Sequence, residues 1–194
     1  MGRYDETERV YVFRQSGQDW VEEGDEDGPP FDSPGIPGLT VIGSSFGEAV
    51  AVYQDTLLVG DDDLTISTPP NTQKVGRAYI FKRTGSSWEL ALNVANPAAT
   101  SDAEHFGESV GLHGRWAVIG APQFDVGDQP AQGAVHLYRT NSAGEYELHS
   151  MLTASDGSAG NKFGLSVAIR SGILLIGAPT RAPLNMERRT SIIM

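Results

Sequence analysis

The sequence predicts an all-β fold made of β-propeller blades, each of four antiparallel strands, amounting to about three blade equivalents and so to a partial propeller. Three observations lead there. A Phe-Gly pair is followed 14 residues after its Phe by a glycine at three places: Phe46-Gly47 by Gly60, Phe106-Gly107 by Gly120, and Phe163-Gly164 by Gly177. The steps between successive copies are 60 and 57 residues, which fits a four-stranded blade better than a helical repeat. The apolar runs are four or five residues long, as at 173–176, which is strand length.

Strand one follows each Phe-Gly pair, with Val50, Val110 and Val167 in register. Strand two carries the apolar runs 57–59, 117–119 and 174–176 and ends at the spaced glycine. Between them lie Gln54-Asp55, Gly114-Arg115 and Ser171-Gly172, short polar links of the kind that close a hairpin. The fixed 14-residue interval follows from such a hairpin, because one inserted residue would turn a strand's faces over. Strand three recurs as 10–14, 78–82 and 135–139, opened by Gly76 and Gly133 in the two complete copies. Strand four follows a Gly-containing turn and brings Trp20, Trp88 or Tyr146; these aromatics, with Phe13, Phe81 and Tyr138, read as packing between blades.

The organisation is then residues 1–45 as a partial blade (strands three and four) with a Pro-rich acidic insertion at 24–38, two full blades at 46–105 and 106–162, and a partial blade at 163–194 (strands one and two) with a divergent tail at 181–194. Ring closure takes about four to eight blades, so further blades are expected, either from a longer parent chain of which this is a fragment or from other copies.

Composition narrows the function. Lys and Arg number 14 against 25 Asp and Glu, a net charge of −11, which is unsuited to sequence-independent nucleic-acid binding. The absence of cysteine excludes a disulfide framework and thiolate sites. No stretch approaches 18 apolar residues, so no membrane insertion by a helix is expected.

The motifs Phe106-Gly107 with Gly120-Ala121-Pro122, and Phe163-Gly164 with Gly177-Ala178-Pro179, resemble FG-GAP repeats, the blade units of the integrin α-subunit propeller and of many surface proteins. The first copy, Phe46-Gly47 with Gly60, departs from the pattern by reading Gly60-Asp61-Asp62. The resemblance implies a β-propeller in an extracellular or cell-surface setting, whose inter-strand loops meet protein or glycan partners. Calcium-bearing copies of the repeat hold an Asp-rich loop between the Phe-Gly pair and the Gly-Ala-Pro segment. The corresponding stretches here, 53–56, 113–116 and 170–173, are too short and too poor in acidic side chains for the six to eight oxygens Ca²⁺ takes, so the chain resembles the calcium-free branch, with no cofactor and no metal site.

The remaining candidates favour structural roles. Asp25, Asp27 and Asp32 around Gly28 form a loose calcium-like pattern in the insertion, read as a solvated acidic loop. Asp61-Asp62-Asp63 reads as a solvent-exposed loop, since neighbours on an extended segment point to opposite faces; Asp125 and Asp128 read the same way. Gly107-Glu108-Ser109-Val110-Gly111 has nucleophile-elbow spacing, but its copies 47–51 and 164–168 place Ser109 on a repeated strand with no helix after it. His105, His113, His136 and His149 are dispersed and expected at the surface or half-buried. Trp116 has no aromatic counterpart in the other copies and reads as a local packing variation. The expected function is a non-catalytic binding module presenting the loops 61–75 and 121–132 to a ligand of unknown identity; the alternative is a propeller serving as catalytic or accessory domain of a hydrolase.

Overall fold

Short hairpins generate every blade. The structure, a computed structural model, describes residues 8–23, 31–85, 87–97 and 104–179. Its strands in chain order are β1 (Arg9–Val10), β2 (Val12–Ser16), β3 (Asp19–Glu23), β4 (Phe31–Asp32), β5 (Thr40–Gly43), β6 (Val50–Tyr53), β7 (Thr56–Asp61), β8 (Thr65–Thr68), β9 (Asn71–Lys74), β10 (Arg77–Thr84), β11 (Ser87–Ala95), β12 (Ser109–His113), β13 (Trp116–Ala121), β14 (Ala134–Thr140), β15 (Tyr146–Leu152), β16 (Ser166–Arg170) and β17 (Ile173–Gly177). The turns β6–β7, β12–β13 and β16–β17 each hold two residues, with left-handed backbone at Gln54, Gly114, Ser171 and Gly172 that matches the twist of the flanking strands. The tail 181–194 and the carboxylates of Asp25 and Asp27 lie outside the described residues.

Two four-stranded antiparallel sheets, β6-β7-β10-β11 and β12-β13-β14-β15, repeat one topology and one register. Tyr79 stands opposite Val59 in the first, and His136 opposite Ile119 in the second. The pair β16–β17 repeats strands one and two, while β2–β3 repeats strands three and four. Part of the insertion forms a separate two-stranded sheet with β1 that continues the same pairing: Arg9 pairs with Asp32 and Val10 with Phe31, just as Arg77 pairs with Ala95 and Ala78 with Val94. Strand four therefore resumes after an interruption. The loop expected at 61–75 is also structured, folding back as the β8–β9 hairpin, which pairs with β5 in a three-stranded sheet.

Blades pack face to face. Leu58 and Ile80 of one blade meet Val110, Leu112 and Ile119 of the next in one cluster; Val10 meets Phe46, Val59 and Tyr79 in another. Burying each such aliphatic side chain contributes roughly 1.5–3 kcal/mol. The Phe-Gly motif sits between. The N–H of Gly107 donates to the carbonyl of Gly120 in its own blade (2.9 Å), and Gly47 to Gly60 (3.0 Å) and Gly164 to Gly177 (3.0 Å) do the same. The carbonyl of Gly107 in turn lies against Gly60 of the preceding blade, where a Cβ would come within 2.0 Å of it; a Cβ on Gly120 would come within 2.2 Å of the Gly164 carbonyl. The spaced glycine is thus required by its neighbour blade, through close approach rather than through its own backbone angles. Phe106 is buried beneath this contact, with Gly76 of the preceding blade against its backbone.

The structure corrects three expectations. Trp20 and Phe13 are exposed, Trp20 at 66% against 7% for Trp88, so they do not pack between blades among the described residues. The difference follows from β2–β3 having no strand one or two beside it among the described residues. Asp61 and Asp62 are buried, Asp61 completely, for reasons given below. His136 is fully buried on strand three.

Gly120→Ala is expected to destabilise the chain by roughly 3 kcal/mol or more, because the new methyl meets backbone that cannot yield. Gly43→Ala, whose Cβ would lie an ordinary 3.6 Å from Thr65, is expected to change stability by less than about 0.5 kcal/mol. Urea unfolding midpoints of the two variants decide this.

Candidate functional site

Antiparallel order puts the strand-two-to-three loops and the blade-to-blade connections at one end of the sheets, opposite the two-residue hairpins. The polar residues that draw attention in the sequence converge at that end. Strand two runs past Gly60 into Asp61-Asp62-Asp63 where the other copies read Ala-Pro, so carboxylates enter the space between blades.

Asp61 is held from the preceding segment. Its Oδ1 accepts the Ser45 N–H at 2.8 Å, and the hydroxyls of Ser44 (3.0 Å) and Ser33 (3.4 Å) donate to its oxygens. Burial pushes its carboxyl up to about 6, against these hydrogen bonds and with the Glu8 charge adding to the rise. Glu8 itself accepts the Phe46 N–H at 2.8 Å. Asp62, in the turn that follows β7, takes the Ser45 hydroxyl at 2.5 Å and His105 Nδ1 at 2.7 Å. Burial would raise Asp62, but the hydrogen bonds from His105 and Ser45 and the His105 charge outweigh it and hold the carboxyl below its ordinary range. His105 is correspondingly raised, first by the Asp62 hydrogen bond, with burial opposing and the charges of Asp62, Glu108 and Asp63 assisting. Asp63, half-exposed, pairs with Lys74 at 2.5 Å. The expected exposed acidic loop is therefore a buried polar joint. Sequence alone could not place it, because Ser33 and Ser44 belong to no repeated element, and Ser45, although it precedes a Phe-Gly pair as His105 and Lys162 do, is a serine in this copy alone.

Asp62, His105 and Glu108 each bring one ligand atom to within 4.8 Å of the others. One imidazole and two carboxylates form a donor set that suits a transition-metal or zinc ion better than Ca²⁺, and loading it would displace the proton shared by Asp62 and His105. A small cleft of about 120 Å³ is lined by Lys74, Val75, Arg77, Ala95, Asn96 and Glu104.

The other candidates are placed as follows. Ser109 opens β12 and its hydroxyl donates to the Gly164 carbonyl of the next blade at 2.7 Å. Asp125 accepts the Ala131 N–H at 2.8 Å and closes the 121–132 loop, while Asp128 lies on its exposed crest. Asp32 pairs with Arg9. Trp116 packs edge-on to His149 and takes the Arg139 guanidinium over its ring. His113 packs on Tyr53 of the preceding blade. Ala121 and Pro122 are buried under the next blade, whereas Ala178 and Pro179 are exposed. His136 sits edge-on between Phe106 and Phe124, with neither ring nitrogen hydrogen-bonded among the described residues, and burial pushes it down to about 4.

Residues 94–138 and 146–189 match the family model of the FG-GAP repeat. Each match starts in strand four of one blade and ends beyond the first two strands of the next, so the family unit straddles the blade-to-blade contact. No curated protein matches the chain.

Asp61 and His136 impose opposite pH dependences. Folding favours protonated Asp61, a contribution present below pH 3.8 and lost as the pH rises through about 6. Folding favours neutral His136, a contribution present above pH 6.5 and lost as the pH falls towards 4. The two largely cancel, each worth about 3 kcal/mol. His136→Phe is expected to lose stability as the pH rises from 4 to 7, and Asp61→Asn to lose it as the pH falls; flat profiles in urea titrations of both variants would contradict the assignment.

Proposed function

From a chain that carries two FG-GAP repeats, we propose a non-catalytic binding module that presents its strand-two-to-three loops to a protein or glycan partner outside the cell or at its surface. The observation that carries this reading is how the polar groups at that end are arranged. Asp61, Asp62, Ser45 and Ser109 are engaged in holding blades together, and what stands out beyond them is a pair of exposed crests. One is 69–73 at the tip of the β8–β9 hairpin, with a cis bond between Pro69 and Pro70; the other is 127–130. The second crest is braced from below, where Lys162 N–H donates to the Ala131 carbonyl and Phe163 N–H to that of Gln132. Variable loops on a fixed frame are a common basis of recognition.

The integrin-like, adhesive and calcium-free character of the repeat belongs to this proposal and is supported by the motif residues and by the two-residue hairpins. The hydrolase alternative needs a free nucleophile beside a base. The hydroxyl of Ser109 is donated to a backbone carbonyl, which weighs against its use.

Replacing 69–70 and 127–128 together by Gly-Ser pairs, which leaves β9 and the contacts of Gln129 and Pro130 in place, is expected to lower binding to partners selected on a glycan array or a panel of extracellular proteins by at least about tenfold, with the strand circular-dichroism signal retained. Undiminished binding would overturn the assignment of the crests. Hydrolysis of chromogenic ester or phosphodiester substrates, abolished by Ser109→Ala, would favour the enzyme.

A further inference from the structure

Positions that are buried in the complete blades are exposed on the two half-blades. On strand three, Tyr79 and His136 are fully buried but Tyr11 is 56% exposed. On strand two, Leu58 and Val118 are buried but Leu175 is 66% exposed. The first complete blade is likewise uncovered on the face it turns towards β1–β2: its strand one exposes Val50 and Val52, whereas Val110 and Leu112 at the same positions of the next blade are buried. Among the described residues, β2 pairs only with β3 and β17 only with β16, so each offers a free backbone edge. A groove of about 220 Å³ runs between β1–β2 and β6–β7, lined by Val10, Val12, Val50 and Val52.

The complete blades define what fits that groove. In them strand two pairs with strand three, while its face and that of strand one cover strand one of the next blade. The pair β16–β17 supplies a strand one and a strand two with an uncovered face, formed by Ala168, Ile173 and Leu175. We propose that a second copy of this chain inserts its β16–β17 pair into the groove between β1–β2 and β6–β7, completing a four-stranded blade from two half-blades. This rests on the blade fold and not on the ligand reading above.

The internal repeats set the register. Lys82 faces Thr56 and Arg139 faces Trp116, so Arg14 faces the other copy's Ile173. Ile80 faces Leu58 and Leu137 faces Val118, so Val12 faces Leu175. In the same way Val10 faces Gly177, because Ala78 faces Gly60 and Val135 faces Gly120. The last match has a further consequence. Gly60 lies under the Gly107 carbonyl and Gly120 under that of Gly164, so the incoming Gly177 would lie under the carbonyl of Gly47. One insertion thus satisfies two backbone edges, two apolar faces and one more glycine contact. The association is head to tail, since each copy gives one half-blade and receives another, and it closes when the rotation completes a ring.

The chain has no cysteine of its own, so single substitutions report the contact cleanly. Directly opposed antiparallel residues have Cα atoms about 4.5–5.5 Å apart, within disulfide range, whereas a residue one strand further lies roughly 10 Å away and is out of range. Arg14→Cys protein is mixed with Ile173→Cys protein under mild oxidation, and in parallel with Arg170→Cys protein as control; all three positions are exposed. The mixed disulfide is expected to form at least about tenfold more with Ile173→Cys than with Arg170→Cys. Equal or absent cross-linking overturns the register. In addition, light scattering of the unmodified chain at about 100 µM, where even a micromolar interface is filled, is expected to give a multiple of the monomer mass that Val52→Asp reduces. A monomer under those conditions overturns the proposal and leaves the edges to other blades, such as those of a longer parent chain.

Discussion

A backbone-to-backbone contact between blades carries this architecture. The carbonyls of Gly107 and Gly164 rest on the spaced glycines of the blades before them, Gly60 and Gly120, while the N–H of the glycine in each Phe-Gly pair donates to the spaced glycine of its own blade. Gly60, Gly107, Gly120 and Gly164 therefore form a continuous ladder of close approaches and hydrogen bonds. No side chain fits in it. The 14-residue spacing, the two-residue hairpins and the burial of Phe106 all follow, because the strands must bring those glycines together at one level. The apolar faces supply most of the free energy, as burial generally does, but the glycine contact fixes the distance at which they meet.

The same junction sets the chemistry of the loop end. Where the repeat has Ala-Pro after the spaced glycine, as at Ala121-Pro122, the residues are small and apolar and bring no carboxylate into the junction. Where it has Asp61-Asp62, carboxylates are drawn into the junction and must be satisfied. Ser33, Ser44 and Ser45 do so for Asp61, and Ser45 and His105 for Asp62. The extra chain at 31–45 and the β8–β9 hairpin form the cover that makes this burial possible. Departure from the repeat in sequence and the added local structure are thus one adaptation.

Much of the blade order was legible because its signals are local and recur: alternation, turn residues and a glycine at fixed spacing. The Asp61-Asp62-Asp63 run misled because its first two carboxylates meet partners distant in sequence, serines 16 or more residues away and a histidine 43 residues away. Ser45 and His105 do share a position, the one before a Phe-Gly pair, but that position reads Ser, His and Lys in the three copies and so carries no sign of a partner. Trp20 and Phe13 misled in the opposite sense, because the repeat assigns them the burial of Trp88 and Phe81 while their own half-blade has no strand beside it among the described residues. His136 occupies the position of Tyr79 and shares its burial. The repeat pattern identifies which positions correspond, and the neighbours present decide whether they are covered.

Native-state hydrogen exchange at the Gly107 amide tests the ladder most directly. If the junction is the rigid element of the fold, this amide, although it lies in a turn, exchanges as slowly as those of Ala117, Val118 and Ile119 in the adjacent core strand, by global unfolding. Exchange at the rate of Gly127, on an exposed crest, would show that the junction opens independently and would contradict its role as the constraint that sets blade spacing.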